Sequence, residues 1–245
     1  MNFVHIFLLI SCFATSQTYT IIYNEKRLVD IKNFDGLPNA IKEMATKESQ
    51  KSTPFELLIS DGVSRYQLVD PKDLDPTEYP DINFASTINP LNNIFYNNFN
   101  ENLFLAKKLL GLDTYFIQDS ILKMDWKLTE EKQVILNYTC QKATTVWHGY
   151  EFTAWFTYEI PIKAGPDKYV GLPGLILKAE TIAREYTAVD INIKDENTFI
   201  AKPFENKSTI SFDQFRVLTE EKIQSLQSQN VSPNKNQGVI LINKE

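Results

Sequence analysis

Few residues in this chain could do chemistry that needs a soft metal ligand or a base active near neutrality. Its 245 residues include two histidines, His5 and His148, and two cysteines, Cys12 and Cys140. Zinc sites draw three or four ligands from Cys, His and carboxylates. With one Cys and one His left beyond the N-terminal segment, zinc is excluded and no metal site is assigned. A Ser-His-Asp arrangement would have to use His148, and no serine sits in a nucleophile elbow. Neither a glycine-rich phosphate loop nor a dinucleotide fingerprint occurs, so no cofactor is expected. Carboxylates remain. Glu151, Glu159 and Asp167 lie in or beside one segment, and a hydrolase could use a pair of them if they converged within about 5–10 Å. Their ordinary reading is solvated surface, and no catalytic residue is assigned.

Aromatic residues offer more. Trp126, Trp147 and Trp155 are close in sequence, and Trp155 alternates with Phe152 and Phe156 along one apolar run. Aromatic mass on both sides of a strand ordinarily means a sheet buried on both faces. The sharper expectation is that one face lines a groove for an apolar or carbohydrate-like ligand, with residues 158–174 as its rim. Loops longer than roughly 12–15 residues without secondary structure tend to be functional or disordered. The ligand-binding candidates are Trp155, Trp147, Tyr158, Asp167 and Tyr169.

The elements that would position these residues follow from periodicity. From Tyr150 to Thr157, Tyr150, Phe152, Ala154 and Phe156 alternate with Glu151, Thr153, Trp155 and Thr157, the period of a strand. Tyr138 to Trp147 is a second strand, joined through His148-Gly149 as a hairpin. Residues 158–174 carry Pro161, Pro166 and Pro173, which removes this stretch from any central strand. Gly171, Leu172, Pro173 and Gly174 form a structural turn motif. Leu172–Leu175 is read as a type II turn, with positive φ at Gly174 and a strand from Leu175 to Glu180.

The hexapeptide Gly171-Leu-Pro-Gly-Leu-Ile176 resembles the signature of the GLPGLI family, exported proteins of Bacteroidetes-type bacteria. Asp125-Trp126-Lys127-Leu128, Cys140-Gln-Lys-Ala143, Thr153-Ala-Trp-Phe-Thr157, Ile160-Pro161 and Gly165-Pro166 are similar to that family as well. The match is close over residues 115–180. The resemblance implies an envelope or secreted β-rich protein of uncharacterised function, and it carries over no catalytic residues.

Elsewhere, strands are expected at Thr18–Tyr23 (continued over 31–35), Phe55–Ser60, Ser64–Val69, Ile94–Phe99, Asn102–Lys107, Thr114–Gln118, Lys123–Leu128 and Arg184–Ile193. In the last, Thr187, Val189, Ile191 and Ile193 form the apolar face. Helices are expected over 38–48 and over 211–227, the second opened by a Ser211/Gln214 capping box. The stretch 70–81 is an acidic, proline-rich loop without the glycine of a calcium loop, and 239–242 reads as a last strand. The fold class is mainly β (α+β): a curved, mostly antiparallel sheet, half-barrel-like, with two peripheral helices in a single domain over 17–245.

Residues 1–16 lack Lys, Arg, Asp and Glu and end in Ala14-Thr15-Ser16. They read as a signal peptide cleaved after Ser16, with acylation at Cys12 as the lower-ranked alternative. The expected location is therefore the periplasm, the outer membrane or the medium, with no membrane span after processing. A net charge of −6 and a pI near 5.1 argue against nucleic acid. The expected function is a noncatalytic cell-envelope protein that binds an envelope partner or an apolar or carbohydrate ligand. The alternative is an extracytoplasmic hydrolase built on a carboxylate pair.

Overall fold

A computed structural model describes residues 17–28, 51–70 and 93–229, together with Glu43 and Thr46. The eleven strands are β1 (Thr18–Arg27), β2 (Ser52–Ser60), β3 (Val63–Leu68), β4 (Ile94–Asn98), β5 (Leu103–Leu110), β6 (Asp113–Asp119), β7 (Lys127–Ile135), β8 (Tyr138–Trp147), β9 (Tyr150–Thr157), β10 (Leu175–Glu180) and β11 (Arg184–Lys194). One described helix, α1 (Phe212–Gln229), follows them. The helix expected over 38–48 (Glu43 and Thr46 apart), the strands over 31–35 and 239–242, and nearly all of the acidic loop lie outside the described residues.

All strands form one antiparallel sheet in the order β6-β5-β4-β3-β2-β1-β11-β10-β9-β8-β7. The sheet is two meanders joined where β1 pairs with β11, Thr18 opposite Lys194 and Arg27 opposite Arg184. This order forces curvature. Ten spacings of about 4.8 Å would put the edges of a flat sheet about 48 Å apart. Yet the edges β6 and β7 are consecutive in sequence, and the link from Asp119 to Lys127 can reach at most about 29 Å. The sheet therefore curls toward itself without closing.

A run of ring contacts follows the curl across the interior. Phe55 stacks on Tyr66 at 5.1 Å between centroids, and Tyr66 meets Tyr186 at 6.5 Å. Tyr186 meets Tyr169 at 5.6 Å, and Tyr169 meets Phe152 at 5.5 Å. Trp147 lies 6.2 Å from Phe152 and 5.4 Å from Phe212, which lies 6.0 Å from Phe104. Helix α1 thus starts between β8 and β5, and its Phe215 ring lies 5.6 Å from Tyr115 of β6. Its capping box forms as expected: Ser211 N–H donates to Gln214 Oε1 at 2.8 Å and Gln214 N–H to Ser211 Oγ at 3.1 Å. Before the helix, Ile210 makes a parallel bridge to Ile117 on the β6 edge.

Two expectations are corrected. The strand expected over Lys123–Leu128 begins only at Lys127, and β7 runs on through Thr129-Glu-Glu-Lys-Gln to Ile135. A charged run has no apolar alternation to betray it, because this is an edge strand and charges there oppose pairing with other chains. In β11 the buried residues are Tyr186 and Ala188, while Val189 is exposed. The register against β1 shifts between Ile22 (opposite Asp190) and Tyr23 (opposite Ala188), which leaves Val189 as a bulge. A bulge reverses the inward face partway along a strand, and strict alternation cannot register it. The hairpin β8–β9 forms as read and β2–β3 form another, with Asp61-Gly62 and His148-Gly149 all at positive φ in the turns.

Candidate functional site

The segment 158–174, expected as the rim of a groove, turns inward over its middle, while Tyr158, Glu159, Pro161, Lys163, Gly171 and Pro173 stay exposed. Ala164 through Val170 are all buried, as are Ile160, Leu172 and Gly174. Backbone bonds fix the path: Leu175 N–H to Ile160 O at 2.9 Å, Ile176 N–H to Ala164 O at 3.0 Å and Gly171 N–H to Lys163 O at 3.2 Å. One side chain reaches its backbone: Trp126 Nε1 donates to Val170 O at 2.9 Å, and just beyond it the Tyr23 hydroxyl donates to Ile176 O of β10 at 2.6 Å. A bulge at Leu177 then lets Leu175, Ile176 and Leu177 all be buried.

The turn motif works differently from a type II turn. Positive φ occurs at Gly171 (94°) and not at Gly174. A Cβ on Gly174 would lie 1.9 Å from Thr157 O, so this glycine is required by backbone approach. Gly165 is similar, since a Cβ there would meet Tyr169 O at 2.7 Å and Ile176 Cβ at 2.8 Å. The glycines let the inserted segment lie flush against β9 and β10.

The segment carries Asp167 and Lys168 into the interior, where both side chains are almost fully buried. Asp167 has φ 54°, a left-handed conformation uncommon outside glycine. Its Oδ2 accepts a 2.8 Å hydrogen bond from the Tyr186 hydroxyl and lies 3.7 Å from Lys168 Nζ. Lys168 Nζ also sits 5.0 Å from the centre of the Tyr169 ring. Nearby, Arg184 Nη1 donates to the buried Glu25 carboxylate. Burial raises the pKa of Tyr66 and Tyr186 well above the ordinary phenol value, and the Glu25 and Asp167 carboxylates push both further up while Arg184 opposes them. Tyr66 Oη, Asp167 Oδ1 and Lys168 Nζ are buried with no hydrogen-bond partner among the described residues. A buried unsatisfied group typically costs about 1–3 kcal/mol.

The candidates from sequence separate into two sets. Asp167 and Tyr169 belong to the interior cluster, and Trp147 extends the same aromatic run toward α1. Trp155 faces away from Phe152 and Phe156. It sits opposite Lys142 on one neighbouring strand and Lys178 on the other, with Lys142 Nζ 5.8 Å from its ring centre. Lys142 pairs with Glu131 at 2.8 Å, and Lys178 with Glu180 at 2.5 Å and Glu185 at 3.3 Å. Trp155 is thus the middle rung of an outer charge ladder. Tyr158 is half exposed, its ring 4.9 Å from Phe156. Of the three carboxylates read as solvated, Glu151 and Glu159 are exposed, and Glu159 Oε1 accepts from Thr139 N–H at 2.8 Å. Asp167 is the correction, buried because its whole segment is. Cys140 is a core residue, its thiol pushed up to about 11 chiefly by burial.

Sequence reasoning missed Glu25, Tyr66, Lys168, Arg184 and Tyr186. Each lies on a strand or loop whose local pattern is ordinary, and they come together only when β1, β3 and β11 curl around the inserted segment. One signal was available. Glu25 and Tyr23 share the inward parity of a strand that also carries Ile21, so a carboxylate on the core face of β1 was readable.

Among the described residues, no group of His, Cys, Asp and Glu could hold a metal ion, and no helix is long and apolar enough to cross a membrane. A family model described as "Protein of unknown function (Porph_ging)" matches residues 146–178, from the end of β8 through the inserted segment into β10. No curated protein matches the chain. Its structure is similar to that of PNGF-II in the P21 space group (TM-score 0.52, 15% identity) and in the C2 space group (TM-score 0.51, 14% identity). Each match covers 84% of this chain but 34% and 33%, respectively, of the PNGF-II chain. At that identity the likeness concerns the fold alone. The chain is a mostly β protein with an unclosed antiparallel sheet, and its central segment matches a family of unknown function, consistent with an uncharacterised Bacteroidetes-type group.

Proposed function

We propose that this is an exported, noncatalytic binding protein of the bacterial cell envelope, of the GLPGLI type. The observation that carries the reading is the way the inserted segment is held. Its carboxylate and ammonium, Asp167 and Lys168, are 5% and 2% exposed and are packed among tyrosines. A hydrolytic carboxylate must meet both its substrate and a water. Asp167 instead spends one oxygen on Tyr186, while Glu159 lies exposed and bonded to a backbone N–H. The uncharged, apolar composition of residues 1–16 supports export.

Intact mass and fractionation of the protein from its native host test this reading. The expected product begins at Gln17 and appears outside the cytoplasm. A full-length chain starting at Met1 in the cytosol overturns export. A diacyl or triacyl increment on Cys12 overturns cleavage after Ser16 and makes the protein a tethered component.

A further inference from the structure

We propose that Gln17, once it is the amino terminus, closes on itself to a five-membered lactam, with the Tyr19 hydroxyl and the Asp195 carboxylate of the folded chain assisting the step. The inference rests on cleavage after Ser16, as read above, and assigns a modification to the end that cleavage exposes. Gln17 is exposed, and its side-chain amide is held at both polar atoms. Oε1 accepts from the Tyr19 hydroxyl at 2.7 Å, and Nε2 donates to Asp195 Oδ1 at 3.0 Å. Chemistry fixes this orientation, because an ionised carboxylate can only accept and so selects the amide nitrogen.

The fold builds the setting. Tyr19 lies two positions after Gln17 in an extended chain, so both side chains project to one side. Thr18 stands opposite Lys194 in the β1–β11 pair, which brings the next residue of the partner chain, Asp195, beside Gln17. Thr18 itself is buried. Its hydroxyl lies 3.0 Å from Ser60 Oγ, 2.7 Å from Glu196 O and 3.2 Å from Thr198 Oγ1. This anchor fixes the backbone directly after Gln17, so the amide is positioned before the reaction begins.

The step balances without a co-reactant. The Gln17 α-amine attacks Cδ, the N–Cδ bond forms and the Cδ–Nε2 bond breaks. Ammonia leaves with the proton that the attacking nitrogen gives up. Tyr19 donates to the oxygen on which negative charge develops, as an oxyanion donor does. Asp195, in contact with Nε2, relays the proton to the departing nitrogen. The product has no terminal ammonium and offers no free amine to an aminopeptidase.

In the test, the chain from Gln17 to Glu245 is made behind a tag, folded, and cut by a site-specific protease that leaves Gln17 first. Mass spectrometry then follows the loss of one ammonia. The loss should be at least about tenfold faster in the folded chain than in guanidinium. Tyr19→Phe and Asp195→Asn, each checked for a parent-like circular dichroism spectrum, should slow it about tenfold at this exposed site. Ammonia retained overturns the inference, as does loss at one rate in the parent, the variants and guanidinium. Protein from the native host separates this inference from the reading beneath it. A chain that begins at Gln17 with its ammonia kept removes the lactam and leaves export and cleavage standing. A chain that begins at any other residue removes cleavage after Ser16, and the lactam with it.

Discussion

The Tyr186 hydroxyl donates to Asp167 Oδ2 at 2.8 Å, joining a central strand to a segment that has folded inside the sheet. β11 supplies the phenol and the inserted segment supplies the carboxylate, so this one bond ties the filling of the bowl to its wall. Removing the hydroxyl leaves a buried carboxylate short of a charge-assisted hydrogen bond. Tyr186→Phe should lower stability by about 1.5–3 kcal/mol, read as a drop in the urea midpoint with little change in slope. A variant as stable as the parent would show that Asp167 has another partner of equal strength.

The pH profile should report the same interior. Tyr23, Tyr66 and Tyr186 all have phenols raised above the ordinary value near 10, in each case chiefly by burial. A raised folded value means that the unfolded chain loses these protons first. Their contribution to stability is therefore complete below about pH 10 and falls as pH rises beyond it. Phenolate absorbance should rise cooperatively with unfolding at alkaline pH. A smooth titration of all eleven tyrosines in the folded protein contradicts this.

The two glycines of the turn motif should behave unequally. Gly174→Ala puts a methyl 1.9 Å from Thr157 O, where backbone would have to move, and should cost about 3 kcal/mol or more or prevent folding. At Gly171 nothing lies within 4 Å of an added Cβ, so Ala pays only for positive φ, about 1–2 kcal/mol. Chemical denaturation of both variants checks the order. If Gly171→Ala proves the worse, the motif is governed by turn conformation after all.

Cys140 should be inert in the native protein. Its thiol is buried and pushed up to about 11, so at pH 8 little thiolate exists and none is exposed. Labelling with a thiol reagent should be slow until denaturant is added, and then complete. Rapid labelling of the native chain would mean that β8 opens locally.

The helix cap gives a measure of how firmly the start of α1 is fixed against β5, β6 and β8. Ser211→Ala loses the bond to Gln214 N–H and should cost about 1 kcal/mol. Trp147→Ala removes contacts to both Phe152 and Phe212 and should cost about 3–5 kcal/mol. Equilibrium unfolding of the two variants should show this difference. Trp155→Ala, in the outer ladder, should cost less than Trp147→Ala.

Local pattern by itself determined most of the strands, the His148-Gly149 hairpin turn and the capped helix, because each depends on neighbours within a few residues. It also singled out the proline-bearing segment 158–174, and Asp167 and Tyr169 within it. It could not place Val189 as a bulge or Lys127–Ile135 as a strand, since a register shift and an edge position are properties of the partner strand. Nor could it tell a loop that rims a cavity from one that fills it. That was decided by curvature: with β6 and β7 joined by so short a link, the sheet must curl, and the curl makes an interior that the middle of the 158–174 segment occupies. Only then do Glu25, Tyr66, Arg184 and Tyr186, far apart in sequence, become neighbours of Asp167 and Lys168.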